Sequence, residues 1–92
     1  YTDGNMLSEM TEGFILISCE HGFEREVMKK LLSKREVREV NLLFGMYDIM
    51  VKLECVTPES LRELIIWKIR KINKIRSIVS LIGRESVNLL VN

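Results

Sequence analysis

The residues of this chain whose types and spacing could do chemistry stand together at Gly45-Met46-Tyr47-Asp48. Tyr47 supplies a phenol and Asp48 a carboxylate, and a tight turn leaves backbone N–H groups without ladder partners. A carboxylate, a hydroxyl and bare N–H donors are the parts needed to grip a zwitterion. A ligand-free account uses the same residues: Gly45 can take the positive φ of a reversal, and Asp48 can bond to its own local backbone. On these four residues alone both readings stay open.

The remaining candidates carry less. His21 is the single histidine, and neither Cys19 nor Glu20 beside it completes a set of metal ligands, so it reads as a turn residue and no metal site is expected. Cys55 has no histidine at a catalytic spacing, and G-x-S-x-G, G-x-G-x-x-G, H-E-x-x-H and a P-loop are all absent. Nothing here supports an enzyme or a cofactor. Lys68, Arg70, Lys71, Lys74 and Arg76 form a basic cluster. Its plain reading is a solvated helix end that complements the helix dipole; its functional reading is an anionic partner or a subunit contact.

The elements that must position the turn follow from apolar periodicity. Val40, Leu42 and Phe44 before it, and Ile49, Val51 and Leu53 after it, alternate as two strands of a hairpin, each showing one face to a core. Upstream, Phe14 to Glu20 reads as a strand with Ile15, Ile17 and Cys19 on one face and Phe14, Leu16 and Ser18 on the other. Residues Gly22 to Lys34 read as a helix with Phe23, Val27, Met28, Leu31 and Leu32 along one stripe. Downstream, Thr57-Pro58-Glu59 is a helix start, with Thr57 as cap and Pro58 at the first helical position. That helix is predicted to run to about Ile72 on a stripe of Leu61, Leu64, Ile65, Ile69 and Ile72, with Trp67 at the margin and directed to another subunit. Ile75 to Ile82 is a final strand whose facing alternation does not settle.

Strand, helix, strand, strand, helix, strand is the order of an α+β, ferredoxin-like βαββαβ domain: a four-stranded antiparallel sheet with two helices on one face. The other face would carry Phe14, Leu16, Leu43 and Met50, too apolar for water, so the domain is expected to dimerise through its sheet. At 92 residues, 47% hydrophobic, the chain is one small domain with apolar surface to spare. Residues 1–13 read as an N-terminal tail, 14–83 as the domain and 84–92 as a C-terminal tail. The net charge of +1 leaves no overall footprint for nucleic acid or membrane. No helix-turn-helix is possible where two strands separate the helices, so no direct DNA binding is expected. No apolar run approaches the ~20 residues of a membrane span, and no secretory leader pattern occurs, which gives a cytoplasmic expectation. Cys19 and Cys55 are read as reduced thiols packed as small apolar side chains; their placement at matching strand ends leaves one disulfide as the alternative.

The run Phe44-Gly45-Met46-Tyr47-Asp48-Ile49, set between Phe14-Ile15-Leu16-Ile17 and the segment Ile69 to Ser77, resembles the effector-binding, or RAM, domain of Lrp/AsnC-family regulators. The resemblance covers about Phe14 to Ile82 and implies a non-catalytic module in transcriptional regulation. Its sheet would form a homodimer, dimers would join into higher oligomers, and an amino-acid-like effector would bind where dimers meet. It implies ligand contacts at Gly45, Tyr47, Asp48 and Ser80, with Asp48 meeting the effector's ammonium. Ser80 matches one of two family threonines, and Ile78 stands at the other. The DNA-binding half of such regulators does not accompany this sequence. That implies a stand-alone module acting through full-length Lrp/AsnC-type partners; the alternatives are a ligand-free oligomerisation domain or a fragment of a full regulator.

Overall fold

The computed structural model describes residues 10–82. Of the expected N-terminal tail, residues 1–13, the first nine lie outside the described residues, as does the expected C-terminal tail, 84–92. Six elements follow in order: β1 (Thr11–Cys19), α1 (Glu24–Leu32), β2 (Val37–Leu42), β3 (Ile49–Cys55), α2 (Pro58–Leu64, extended by a π-helical turn over Ile65–Ile69) and β4 (Ile75–Ile82). They form one sheet in the order β2-β3-β1-β4 with every neighbouring pair antiparallel, the ferredoxin-like arrangement anticipated from the element order.

The two central strands obey strict alternation. Ile15, Ile17 and Cys19 of β1 and Ile49, Val51, Leu53 and Cys55 of β3 are buried beneath the helices. Val27 and Leu31 of α1, then Leu61, Leu64, Ile65 and Ile69 of α2, close the core from above. Gly13 makes the close approach of α2 possible: a Cβ there would stand 2.5 Å from Leu61 Cδ2. β1 begins at Thr11, three residues ahead of the predicted strand, and those residues pair with the end of β3.

The edge strands depart from alternation, each at an arginine. On β2 the register passes from Val37↔Leu53 to Glu39↔Lys52, leaving Arg38 as an extra residue. On β4 it passes from Ser77 opposite Ser18 to Ile75 opposite Cys19, leaving Arg76 extra. Such a bulge reverses the pleat, so residues three apart reach the same face. Val37 and Val40 therefore both pack on the core, as do Ile75 and Ile78. This resolves the facing of the last strand: Val79 and Leu81 lie with Phe14 and Leu16 on the open face.

Several predicted core positions fall outside the core. Leu42 is half exposed and Phe44 fully exposed, because β2 ends at Leu42 and the helical layer does not reach beyond it. Leu32, in the last turn of α1, points outward at 60% exposure. In α2 the stripe holds, with Thr57 capping through its bond from the Ser60 N–H and Pro58 in the first turn, but the helix widens at its end. Arg70 N donates to Ile65 O at 2.9 Å, five residues back, and Ile72, in the turn that follows, still packs against the core. Trp67 is 62% exposed, with Lys71 Nζ 5.3 Å from its ring centre.

Candidate functional site

The hairpin tip is fixed more firmly than a local turn would be. Gly45 has φ +155°, a backbone that a side chain would disfavour, and nothing crowds it. Asp48 is tied down three times. Its carbonyl accepts from Leu43 N at 2.8 Å, its N–H donates to Ile17 O at 2.8 Å, and its Oδ2 accepts from Cys19 N at 2.8 Å. The sequence suggested that Asp48 would bond to its own turn; instead its carboxylate crosses to β1, 29 residues away, and takes up a strand-end N–H. A carboxylate held this way is preorganised, and Oδ1 makes no hydrogen bond among the described residues.

Beside the tip lies an open hollow of about 450 Å³ lined by His21, Glu24, Arg25, Leu42, Leu43, Phe44, Gly45 and Asp48. Its opposite wall is the β1–α1 connection, pinned by Glu20 N donating to Lys74 O at 2.9 Å and by Lys74 Nζ over the Phe23 ring at 4.4 Å. Gly22, at φ +93°, donates to Glu24 Oε1 at 3.1 Å, and His21 Nδ1 stands 3.9 Å from Glu24 Oε2. The arrangement offers carboxylates to a cation, a guanidinium to an anion, and Leu42, Leu43 and Phe44 to an apolar side chain.

Of the residues expected at the site, the fold brings Gly45 and Asp48 to this hollow. Tyr47 adjoins Asp48, half buried, without lining it. Ser80 is elsewhere: it pairs with Ile15 from the edge strand β4 and lines a groove with Arg62, Ile65, Ile66, Arg70 and Ile78. Leu43, expected on the open face, lies past the end of β2 and lines the hollow. Glu24 and Arg25 were missed because their chain position, in the first turn of α1, speaks only of dipole compensation; no local signal says that β1 will carry them to the hairpin.

The open face holds Phe14, Leu16 and Met50 as expected, now joined by Val79 and Leu81. Leu16 lies between Met50 and Val79, and Phe14 between Lys52 and Leu81. Lys52 pairs with Glu12 at 3.6 Å. The two thiols are unpaired and buried, and they stand at opposite ends of the sheet, because β1 and β3 are antiparallel and Cys55 opposes Thr11. Strand geometry puts them roughly 25 Å apart, which excludes a bridge. Burial first, then the charges of Asp48 and Glu24, push the Cys19 thiol above its ordinary pKa; burial and Glu36 do the same to Cys55. Neither is an activated nucleophile. No group of metal ligands and no membrane-length apolar helix occurs among the described residues.

The family model for the Lrp/AsnC ligand binding domain matches residues 12–87. The chain belongs to the Lrp/AsnC family. The crystal structure of FFRP-DM1 is 40% identical, covering 80% of this chain and 99% of that one, with a TM-score of 0.77. AsnC of E. coli is 30% identical over 86% of this chain and 54% of its own, with a TM-score of 0.78, so the chain spans about half of that regulator. The transcriptional regulator NMB0573 of Neisseria meningitidis, solved as a complex with L-Met, shares the fold at 13% identity and a TM-score of 0.75, covering 95% of this chain and 56% of that one. No curated protein sequence matches. As an Lrp/AsnC ligand-binding domain the chain is a regulatory module, and its structural relatives include transcriptional regulators.

Proposed function

We propose that this domain binds a free amino acid or a close analogue in the hollow at the hairpin tip, and that it self-associates through the open face of its sheet to act on partner regulators. The observation that carries the reading is Asp48, whose main chain is fixed by Leu43 and Ile17 and whose carboxylate is held through Oδ2 by the Cys19 N–H, leaving the other oxygen without a hydrogen bond among the described residues beside a largely apolar hollow. Asp48 receives the ligand's ammonium, Arg25 its carboxylate, and Leu42, Leu43 and Phe44 its side chain. Tyr47 closes the tip from the neighbouring position. Leu16, Phe14, Met50, Val79 and Leu81 form the self-association face, and Trp67 remains a candidate contact on the helical side. The L-Met bound to the Neisseria meningitidis relative is in keeping with an amino-acid ligand. Ser80 favours a second reading, because it lies away from the hollow: within one protomer the predicted set is incomplete, which suits either a site finished by another subunit or an assembly domain without ligand.

The test is thermal melting against a panel of free amino acids at millimolar concentration, with Asp48→Asn and Arg25→Gln beside the unaltered chain. Asparagine keeps an oxygen for the Cys19 N–H while removing the charge. A ligand at 100 times its dissociation constant stabilises by ~2.7 kcal/mol. In a domain this small that raises Tm by roughly 10 to 20 °C. A rise with one or a few amino acids, lost in both variants, is expected; no rise with any of them gives the ligand-free reading the field.

A further inference from the structure

The near-neutral charge of this chain is an average over two unlike parts. The helical connections, residues 21–36 and 57–74, hold ten of the 14 Lys and Arg but only five of the 13 Asp and Glu, so they are positive by five while the remainder is negative by four. Ion pairing follows the same division. Of the described cations outside the helical connections, Arg38 and Lys52 are paired, with Glu54 at 3.1 Å and with Glu12 at 3.6 Å, while Arg76, the extra residue of β4, has no ion pair among the described residues. None of the ten inside has a carboxylate within 4.0 Å among the described residues.

The fold then gathers these charges. Where α1 ends against the π turn of α2, Lys34 and Arg35 meet Lys68 around a hollow of about 290 Å³ that also holds Ser33 and Glu36. On the other flank of α2, Arg62 and Arg70 border the groove that contains Ser80. Dipole compensation accounts for lysines at the end of one helix, but not for Lys34 and Arg35, just past α1, converging with Lys68 of α2 around a single carboxylate, Glu36, that makes an ion pair with none of them.

We infer that the outer face of the helical layer binds the phosphate backbone of duplex DNA without reading its sequence, with Lys34, Arg35 and Lys68 as its centre. Single strands are disfavoured, because their binding needs aromatic platforms. The aromatic this layer exposes, Trp67, already carries Lys71 over its ring. The layer lies on the side of the sheet opposite the apolar face, so a dimer formed through that face would present two such surfaces outward. The inference does not depend on an effector.

The experiment is fluorescence anisotropy of two labelled 30-base-pair duplexes of unrelated sequence, titrated with the 92-residue chain from 25 to 200 mM salt. Expected are similar affinities for both, in the ~1 to 100 μM range of non-specific binding, and a fall with salt that gives a log–log slope of about −3 to −5. Lys34→Gln/Arg35→Gln/Lys68→Gln, with its fold checked by circular dichroism, should bind at least tenfold more weakly and with a slope shallower by about 2 to 3. Arg38→Gln/Lys52→Gln should bind as the unaltered chain does. No binding at 100 μM protein and 25 mM salt, tighter binding to a single strand, or equal loss in the two variants would each overturn the assignment. Failure of the amino-acid panel leaves this result untouched.

Discussion

The covered and open faces of the sheet are both apolar, yet they meet different fates. Ile15, Ile17, Val51 and Leu53 are wholly buried, whereas Phe14 and Val79, on the same strands or their neighbour, keep 37% and 40% of their surface. Both helices lie on one side, and among the described residues nothing covers the other. One face is finished by the helices, while the other stands as an apolar face open among the described residues. Truncating the first should therefore cost stability at any concentration, while changing the second should act through assembly.

The largest effect expected is that of Leu53→Ala on the covered face, a loss of about 2 to 5 kcal/mol from the removed contacts and the cavity left behind. In a domain of this size that is a fall in Tm of 10 °C or more, read by circular dichroism and independent of protein concentration. An equally small response to Leu53→Ala and Leu16→Ala would break the comparison. Next comes Leu16→Glu, at the centre of the open face. It should leave the secondary structure intact while size-exclusion chromatography with light scattering shows a fall to single-chain mass. A variant that stays assembled would move the contact away from this face.

A smaller effect sharpens the description of the covered face, where both thiols lie. Their pKa values are raised on folding, so the folded state holds those protons more tightly than the unfolded chain. The resulting stability is fully present below the unfolded thiol pKa, about 8.5, and is lost as pH rises through the folded values. Chemical denaturation at pH 7.5 and at pH 9.5 should thus show lower stability at the higher pH, with the difference reduced in Cys19→Ala/Cys55→Ala. A chain equally stable at both pH values would mean the thiols are less enclosed than their burial implies.

The central strands were legible because each is bonded on both edges, so the pleat cannot slip and alternation maps directly onto the two faces. The same rule failed on the edges, where Arg38 and Arg76 sit as unpaired extra residues, and a period of two cannot describe Val37 with Val40 or Ile75 with Ile78. The α2 stripe was legible to Ile69, but the widened last turn was not, since a change from four-residue to five-residue hydrogen bonding leaves the apolar pattern nearly intact. At the candidate site, Gly45 and Asp48 could be named from turn chemistry. The bond from Cys19 to Asp48 could not, because it depends on where another strand ends.

By itself the sequence determined the element order, and with it the ferredoxin-like topology, because periodicity, a capped helix start and a glycine turn are local properties of the chain; the family showed in the resemblance of the run Phe44 to Ile49 and its flanking segments, and in the match to the family model. It also determined that a carboxylate would stand at the hairpin tip. Only the tertiary structure decided what faces that carboxylate, that the two thiols lie apart, and that a balanced charge divides into a sheet side where Arg38 and Lys52 are paired and a helical layer whose lysines and arginines have no ion pair among the described residues. Those outcomes rest on distances between residues far apart in sequence, set by register and by which face the helices cover.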